Sequence, residues 1–464
     1  MKKKDRLALI SVFIFAFLIR LIALNQSLWL DEATTAKVVK TLSFTGIVTQ
    51  FSPGDFHPPL YYLLMKFWTS IFGYSEIALR FPSVIFTLLT GLVVYRIGTL
   101  LKNQLVGWWA AVFFLFNPLI VYYSQEARMY GMVTFILSIS LYYLLVITGS
   151  DDHLVQDQKL KIKDQKFSAK FKNNVLFGLS CVLALATFYG SIFFIAAAWC
   201  YLIYKKQWQA FLFSFFIVFC LFFILSPLLL AQLANSRQSL LLVKNWSLVL
   251  GRADIKNLLL IPLKFSIGRI SFYPKWLYYL VSTIFSGVVF FSALKGGLQS
   301  KKLAILFVLP LIFGLAASFF TPLLQYFRFL YLLPVMSLLI ALGLVGKWQK
   351  YLVAGGMLIF SLLYLLFPQF HREDWKSLAA ILERKQQPVY MVESAADPLG
   401  YYSSYLQIND LAQISLVKLS SSVIVIPYVA DVHGINYQQS LTDYGFKLIR
   451  HEAVRGIDWQ EWQR

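Results

Sequence analysis

The sequence predicts a polytopic α-helical membrane protein that carries a small soluble α/β unit at its C-terminal end. Three observations lead there. Of 464 residues, 58% are hydrophobic, 17% aromatic and only 14% charged, whereas an average soluble domain is about 45–50% apolar and about 25% charged. The apolar residues gather into runs close to the length of a membrane crossing, and these runs stop after Phe367. The chain therefore divides into a membrane part, 1–367, and an α/β part, 368–464. Composition alone excludes a cytosolic enzyme, a secreted disulfide scaffold and a disordered tail.

A spanning helix needs about 20 mostly apolar residues. Runs of that kind lie at 7–24, 81–101, 106–123, 130–147, 175–189, 191–204, 209–230, 277–294, 303–320, 329–346 and 351–367, about eleven in all. The run opening at Leu7 is too long for a signal-peptide core and lacks a small-x-small cleavage site, so it reads as an uncleaved first helix. Cationic connectors orient the array. With Lys2, Lys3, Lys4 and Arg6 inside, alternation also places inside Lys102, the Lys-rich stretch 148–174, Lys205-Lys206, 295–302 and 347–350. Residues 58–73 would invert every later connector if they crossed. They are read as an interfacial helix on the outer side, started by Pro58-Pro59 and ended by Gly73. Residues 231–275 fall outside yet carry seven cations against Asp254. Either the topology differs there, or the loop meets an anionic ligand or lipid head group. Residues 149–172 read as a solvated loop. In the tail, Asp374 is placed to cap a helix running to about Arg384, and Val389–Val392 and Val423–Ile426 read as short buried strands.

A net charge of +20 raises nucleic acid as a partner. The cations lie in short segments between apolar runs, as membrane orientation requires, so no nucleic acid is expected. Cys181, Cys200 and Cys220 all sit inside apolar runs and read as small buried hydrophobes, with no disulfide framework or metal spacing.

Ionisable residues in or beside a membrane are functional candidates by default. Three clusters fall on the outer side of this map. They are Trp29-Leu30-Asp31-Glu32-Ala33, Asp55-Phe56-His57-Pro58-Pro59-Leu60-Tyr61-Tyr62 and Tyr123-Ser124-Gln125-Glu126-Ala127-Arg128-Met129-Tyr130. Each also has a plain structural reading. Asp31 and Glu32 suit the first turn of an amphipathic helix, Glu32–Leu42. His57 suits an interfacial hydrogen bond, and Glu126 with Arg128 a local ion pair. Lys66 suits snorkelling, while Arg80 and Arg328 suit interface anchors. Joint placement on one face favours a catalytic surface over a transporter or flippase, which would more often bury acids near the midplane and show repeat symmetry. A membrane scaffold with a partner-binding tail is the third alternative.

The order W-L-D-E-A, F-H-P-P-L-Y-Y-L-L-M-K-F-W, A-L-R-F-P-S and N-P-L-I-V-Y-Y-S-Q-E-A-R-M-Y-G-M resembles the GT-C membrane glycosyltransferases. Within them it is similar to the protein O-mannosyltransferase and aminoarabinose-transferase-like superfamily (glycosyltransferase family 39-like). The likeness is strongest over 1–200, weaker to about 367, and absent from the tail. It implies an inverting transfer of a sugar from a polyprenyl-phosphate donor to a hydroxyl of a protein, lipid or polysaccharide acceptor. That reaction would run on the outer face of a multi-pass cell-membrane protein, with the C-terminal part also extracytoplasmic. It implies Asp31 as base and Glu32 as its support. Lys66, Arg80, Arg128 and Arg328 are then phosphate-binding candidates, since cations suit a phosphate leaving group, and His57, Tyr61 and Glu126 line the cavity. The chain has no G-x-G-x-x-G or Walker sequence, as a lipid-linked donor allows. No cofactor is implied. This branch is generally metal-independent, although Asp31, Glu32 and Glu126 are chemically able to hold a hard cation.

Overall fold

A computed structural model of the chain describes residues 3–149, 163–414 and 420–464. Helices occupy all eleven positions at which a span was expected. Among the described residues seven are long and apolar enough to cross a membrane, and the bent pair Gln104–Leu115 and Pro118–Ser124 makes up to eight. Helices Lys3–Leu21, Lys163–Thr187 and Ile192–Tyr204 do not meet that test: the first carries charges at both ends, the second at its N-terminal end, and the third has 13 residues. The chain is thus a multi-pass membrane protein.

Several elements differ from the sequence reading. The run 106–123 is not one straight rod. Asn117 accepts from the amides of Leu119 and Ile120, and Pro118 occupies the first turn, so a second helix starts there at 61° to the first. After the break Tyr122 packs against Tyr364 and Arg372, and Tyr123 against Tyr130 and Phe327. The helix expected over 209–230 runs on as Trp208–Leu242. At about 1.5 Å per residue, its 35 residues outreach an apolar layer about 30 Å thick. Much of the basic stretch 231–275 is therefore helical, either on this extension or in Ile255–Ile267. Of the loop expected at 149–172, residues 150–162 lie outside the described residues. Residues 163–172, with four lysines, begin helix Lys163–Thr187. Cys181 is buried, but Cys200 is exposed and Cys220 half-buried, because both face outward from their helices; all three are free.

Helix Leu60–Phe72 starts after Pro59 and ends at Gly73, whose φ of 80° suits glycine. It buries Tyr61, Tyr62, Met65 and Thr69 and exposes Phe67, Ile71 and Phe72. Helix Leu30–Thr41 opens with Asp31 and Glu32 in its first turn.

The C-terminal part has its own core. Asp374 caps helix Trp375–Lys385 by accepting from the Ser377 amide. Strands β1 (Val389–Met391), β2 (Ile408–Asp410), β3 (Ser422–Val425), β4 (Lys447–Val454) and β5 (Ile457–Gln463) form one sheet in the order β2-β1-β3-β5-β4. β1 runs parallel to β2 and β3, while β5 is antiparallel to β3 and β4. Trp375, Leu378, Leu382, Val423, Ile424, Leu441 and Trp459 fill its interior, and Leu30 of the first loop packs against that same core.

Candidate functional site

The site assembles from the turn 26–32, the loop 55–62, the turn 122–130 and the segment 369–373, with Arg80, Arg269 and Arg328 added from other elements. Glu32 is its fixed point. Its side chain is fully buried, and its Oε1 accepts from Arg80 Nε at 2.8 Å and from the Ala127 amide at 2.8 Å. Its Oε2 accepts from Arg80 Nη2 at 2.6 Å and from the Trp29 amide at 3.4 Å, and Arg372 Nη1 lies 3.8 Å away. Burial alone would push this carboxyl up, but the two guanidiniums and these hydrogen bonds hold it below the usual carboxylate range.

Arg80 completes the knot. Beyond Glu32 it donates to the carbonyls of Leu24, Gln26 and Ser27, so every N–H of its guanidinium is engaged and none is exposed. The phosphate role expected of Arg80 is corrected accordingly: it holds the first loop closed around Glu32. Glu32 likewise has no open face for a substrate. Lys66 is also drawn elsewhere, donating to the Val39 carbonyl at 2.8 Å near the far end of helix Leu30–Thr41.

Asp31 differs from its neighbour. Its side chain is 37% exposed, and Arg128 Nη2 stands 3.5 Å from Oδ2. Arg128 donates through Nη1 to the Tyr62 hydroxyl at 3.2 Å, while its buried Nε has no protein partner among the described residues. His57 Nδ1 lies 3.5 Å from Asp55 Oδ1, and its ring stacks on Phe188 at 6.2 Å. Burial pushes the Asp55 carboxyl up, but His57 and Arg128 outweigh it and bring it down to about 2. Asp55 Oδ2 and the Tyr61 hydroxyl are buried without partners among the described residues. Tyr130 packs on Tyr123 and on Phe327, next to Arg328. Arg328 donates to the Pro322 carbonyl.

Two further arginines lie at the centre: Arg372, which sequence reasoning missed, and Arg269, one of the seven cations of the stretch 231–275 read as meeting an anionic ligand or lipid head group. Arg372 donates to Glu126 Oε2 at 2.7 Å, the Gln125 carbonyl at 2.6 Å and the Tyr122 hydroxyl at 3.1 Å. Arg269, from the basic stretch, donates to the same hydroxyl at 2.8 Å and lies 4.9 Å over the Tyr122 ring. No carboxylate within ion-pair distance of it is found among the described residues. A cavity of about 330 Å³ opens beside both, lined also by Trp29, His371, Glu373 and Arg455. Burial, reinforced by Glu32 and opposed chiefly by Arg372, pushes the Glu126 carboxyl up to about 7. Arg372 follows the last apolar run in the charged stretch His371-Arg372-Glu373-Asp374, a cluster at the membrane edge like the other three and the one signal that was available. Among the described residues no three His, Cys, Asp or Glu side chains converge as metal ligands; Asp31, Glu32 and Glu126 each face an arginine instead.

Residues 56–156 match the family model described as dolichyl-phosphate-mannose-protein mannosyltransferase. No curated protein matches the chain by sequence. In fold the chain is similar to ArnT from Cupriavidus metallidurans bound to undecaprenyl phosphate. The TM-score is 0.57 at 11% identity, over 99% of this chain and 98% of that one. It is also similar to AglB from Archaeoglobus fulgidus in complex with an inhibitory peptide and a dolichol-phosphate. There the TM-score is 0.54 at 11% identity, over 96% of this chain and 73% of that one. The chain has the GT-C fold, and its 56–156 segment bears the sequence pattern of the mannosyltransferase family.

Proposed function

We propose that this protein is a glycosyltransferase that moves a sugar from a polyprenyl-phosphate carrier to an acceptor hydroxyl, with inversion, at the outer face of a cell membrane. The single observation that carries the reading is the contrast between two adjacent acids: Glu32 is buried and saturated, whereas Asp31 is open and has an arginine beside it. An acceptor hydroxyl is a poor nucleophile, and a carboxylate within hydrogen-bond reach takes its proton as attack proceeds. Asp31 is the open acid of the turn. The hydroxyl oxygen bonds to the anomeric carbon, the bond from that carbon to the phosphate oxygen breaks, and polyprenyl phosphate leaves with the electron pair.

The leaving group needs charge stabilisation rather than a proton. Arg128, Arg269 and Arg328 are the cations of the site with donors to spare, and guanidinium suits phosphate oxygens. Glu32 and Arg80 act through the backbone, fixing the turn that presents Asp31. Tyr61, His57 and Glu126 shape the surrounding wall. The partners in this reading are the lipid-linked donor, an acceptor on a protein, lipid or polysaccharide, and the bilayer. The chemistry uses no cofactor, and its acids are neutralised by arginine rather than gathered on a cation. ArnT was captured with undecaprenyl phosphate and AglB with a dolichol-phosphate, which supports a polyprenyl phosphate as the shared leaving group. The eleven-span count and the outer position of both the site and the 368–464 unit belong to this proposal.

The test is direct. Purified protein in lipid nanodiscs is given a panel of synthetic polyprenyl-phosphate sugars with membrane-derived acceptors. Acceptor-dependent release of polyprenyl phosphate is expected for at least one donor, and no release from any donor counts against the assignment.

A further inference from the structure

The 368–464 unit is more than a cover over the site. It grips residues 26–34, the turn that bears Asp31 and the start of the helix after it, at five points. The Arg372 amide donates to Gln26 Oε1 at 3.3 Å, and the Lys376 amide to Ser27 Oγ at 3.2 Å. The Leu28 amide donates to the Tyr402 hydroxyl at 2.8 Å, Leu30 packs against the unit's core, and Thr34 Oγ1 donates to Asp397 Oδ2 at 2.8 Å. One side chain of that unit then reaches past the turn to its far wall. The Arg372 guanidinium joins Tyr122, Gln125 and Glu126 and still lies 3.8 Å from Glu32. Its own backbone is held in turn, the Arg372 carbonyl accepting from Arg455 Nε at 2.8 Å.

The charges explain why a guanidinium stands there. Two carboxylates, Glu32 and Glu126, are buried within reach of one another's field. Arg80 spends its donors on Glu32 and three carbonyls, leaving Arg372 as the only ion-pair partner of Glu126 among the described residues. A buried charge without a partner is strongly disfavoured. Removing Arg372 would therefore either protonate Glu126 or drive it out of place, and Glu126 is next to Ala127, whose amide helps fix Glu32. Three acceptors in three directions also demand a planar fork, which lysine does not offer.

We propose that Arg372 is a positioning residue for glycosyl transfer: it locks the Asp31 turn to the 122–128 turn, so that the C-terminal unit is part of the active site. The inference rests on the transferase reading above. Groups facing Glu126 are Arg372, Glu32, Arg269 and Arg128, together with the hydroxyls of Tyr61, Tyr123, Tyr130 and Tyr326.

The experiment compares wild type, Arg372→Gln, Arg372→Lys, the double variant Glu126→Gln/Arg372→Gln, and Asp31→Asn by steady-state transfer across pH in nanodiscs. Misplacing a catalytic group by about 1 Å costs on the order of a hundredfold. Arg372→Gln is expected to lower kcat by about 10- to 100-fold while the donor KM stays within about threefold, and Arg372→Lys should not rescue it. The pH dependence of kcat should move to higher pH in Arg372→Gln, because Glu126 loses the cation that favours its ionised form. The double variant, with neither charge, should regain part of the lost kcat. Wild-type kcat and pH dependence in Arg372→Gln would overturn the inference. So would a loss confined to the folded fraction, with unchanged turnover per folded molecule. Should Asp31→Asn turn over normally, the transferase reading itself fails. Should Asp31→Asn be inactive and Arg372→Gln normal, only the positioning role does.

Discussion

Replacing Glu32 with Gln tests the knot beneath the site. The amide keeps one oxygen acceptor but turns an NH2 towards a fully buried guanidinium, so at least one of the two short Arg80 contacts, 2.8 and 2.6 Å, becomes donor against donor. Breaking a buried pair on one side costs about 3–5 kcal/mol, since the partner's charge stays behind. A change of 1 kcal/mol moves Tm by about 2–4 °C in a 150–250-residue domain, and by less in a longer chain. A fall of roughly 3–10 °C is therefore expected in the apparent Tm of Glu32→Gln, read by intrinsic fluorescence in nanodiscs. A second variant sharpens the point. Exchanging a buried pair for hydrophobic residues is often neutral or stabilising, but here Glu32→Leu/Arg80→Met would also orphan the carbonyls of Leu24, Gln26 and Ser27 and the amide of Ala127. Each costs about 1–3 kcal/mol when buried and unpaired, so the double variant should be no more stable than the single one. A Glu32→Gln protein within about 1 kcal/mol of wild type would show that these contacts do not hold the loop.

Two further outcomes follow from the same geometry. Folding favours the protonated form of Glu126, whose carboxyl moves from 4.5 to about 7. Its contribution is complete below about 4.5 and is lost as pH rises through 7, amounting to on the order of 3 kcal/mol at 1.36 kcal/mol per pH unit. Across that window the stability of wild type should fall relative to that of Glu126→Gln; parallel pH profiles would refute the assignment. Orientation is read by adding a membrane-impermeant thiol reagent to intact cells. A cysteine engineered within 368–464 should label and one within 149–172 should not, and the reverse pattern would put the site on the cytoplasmic face.

Much of the fold was legible because its cause is local. Hydropathy located a helix at each of the eleven expected runs, Pro58-Pro59 and Gly73 bounded the Leu60–Phe72 helix, and Asp374 announced its own cap. Helix Ile255–Ile267, inside the basic stretch, was not foreseen. The break at Asn117-Pro118 hid inside a continuous apolar run, since hydropathy does not register a change of direction. Strand β4, Lys447–Val454, was missed because both its faces are exposed and its residues do not alternate. The site divides in the same way. Motif order brought Asp31, Glu32, His57, Tyr61, Glu126 and Arg128 to notice together, but not which acid is open. That depends on Arg80 and Arg372, 48 and 340 residues from Glu32 along the chain, as 80 − 32 and 372 − 32. Pairings over such distances leave no periodic mark.

The proposed reaction turns on the open carboxylate of the first loop removing the acceptor's proton. It is tested most directly by single-turnover transfer from a labelled polyprenyl-phosphate sugar in wild type and Asp31→Asn, with donor binding measured on the same samples. Transfer in the variant is expected to be slower by at least about a hundredfold, within the range lost when a general base is removed, with donor affinity retained. Transfer at the wild-type rate by Asp31→Asn would contradict it.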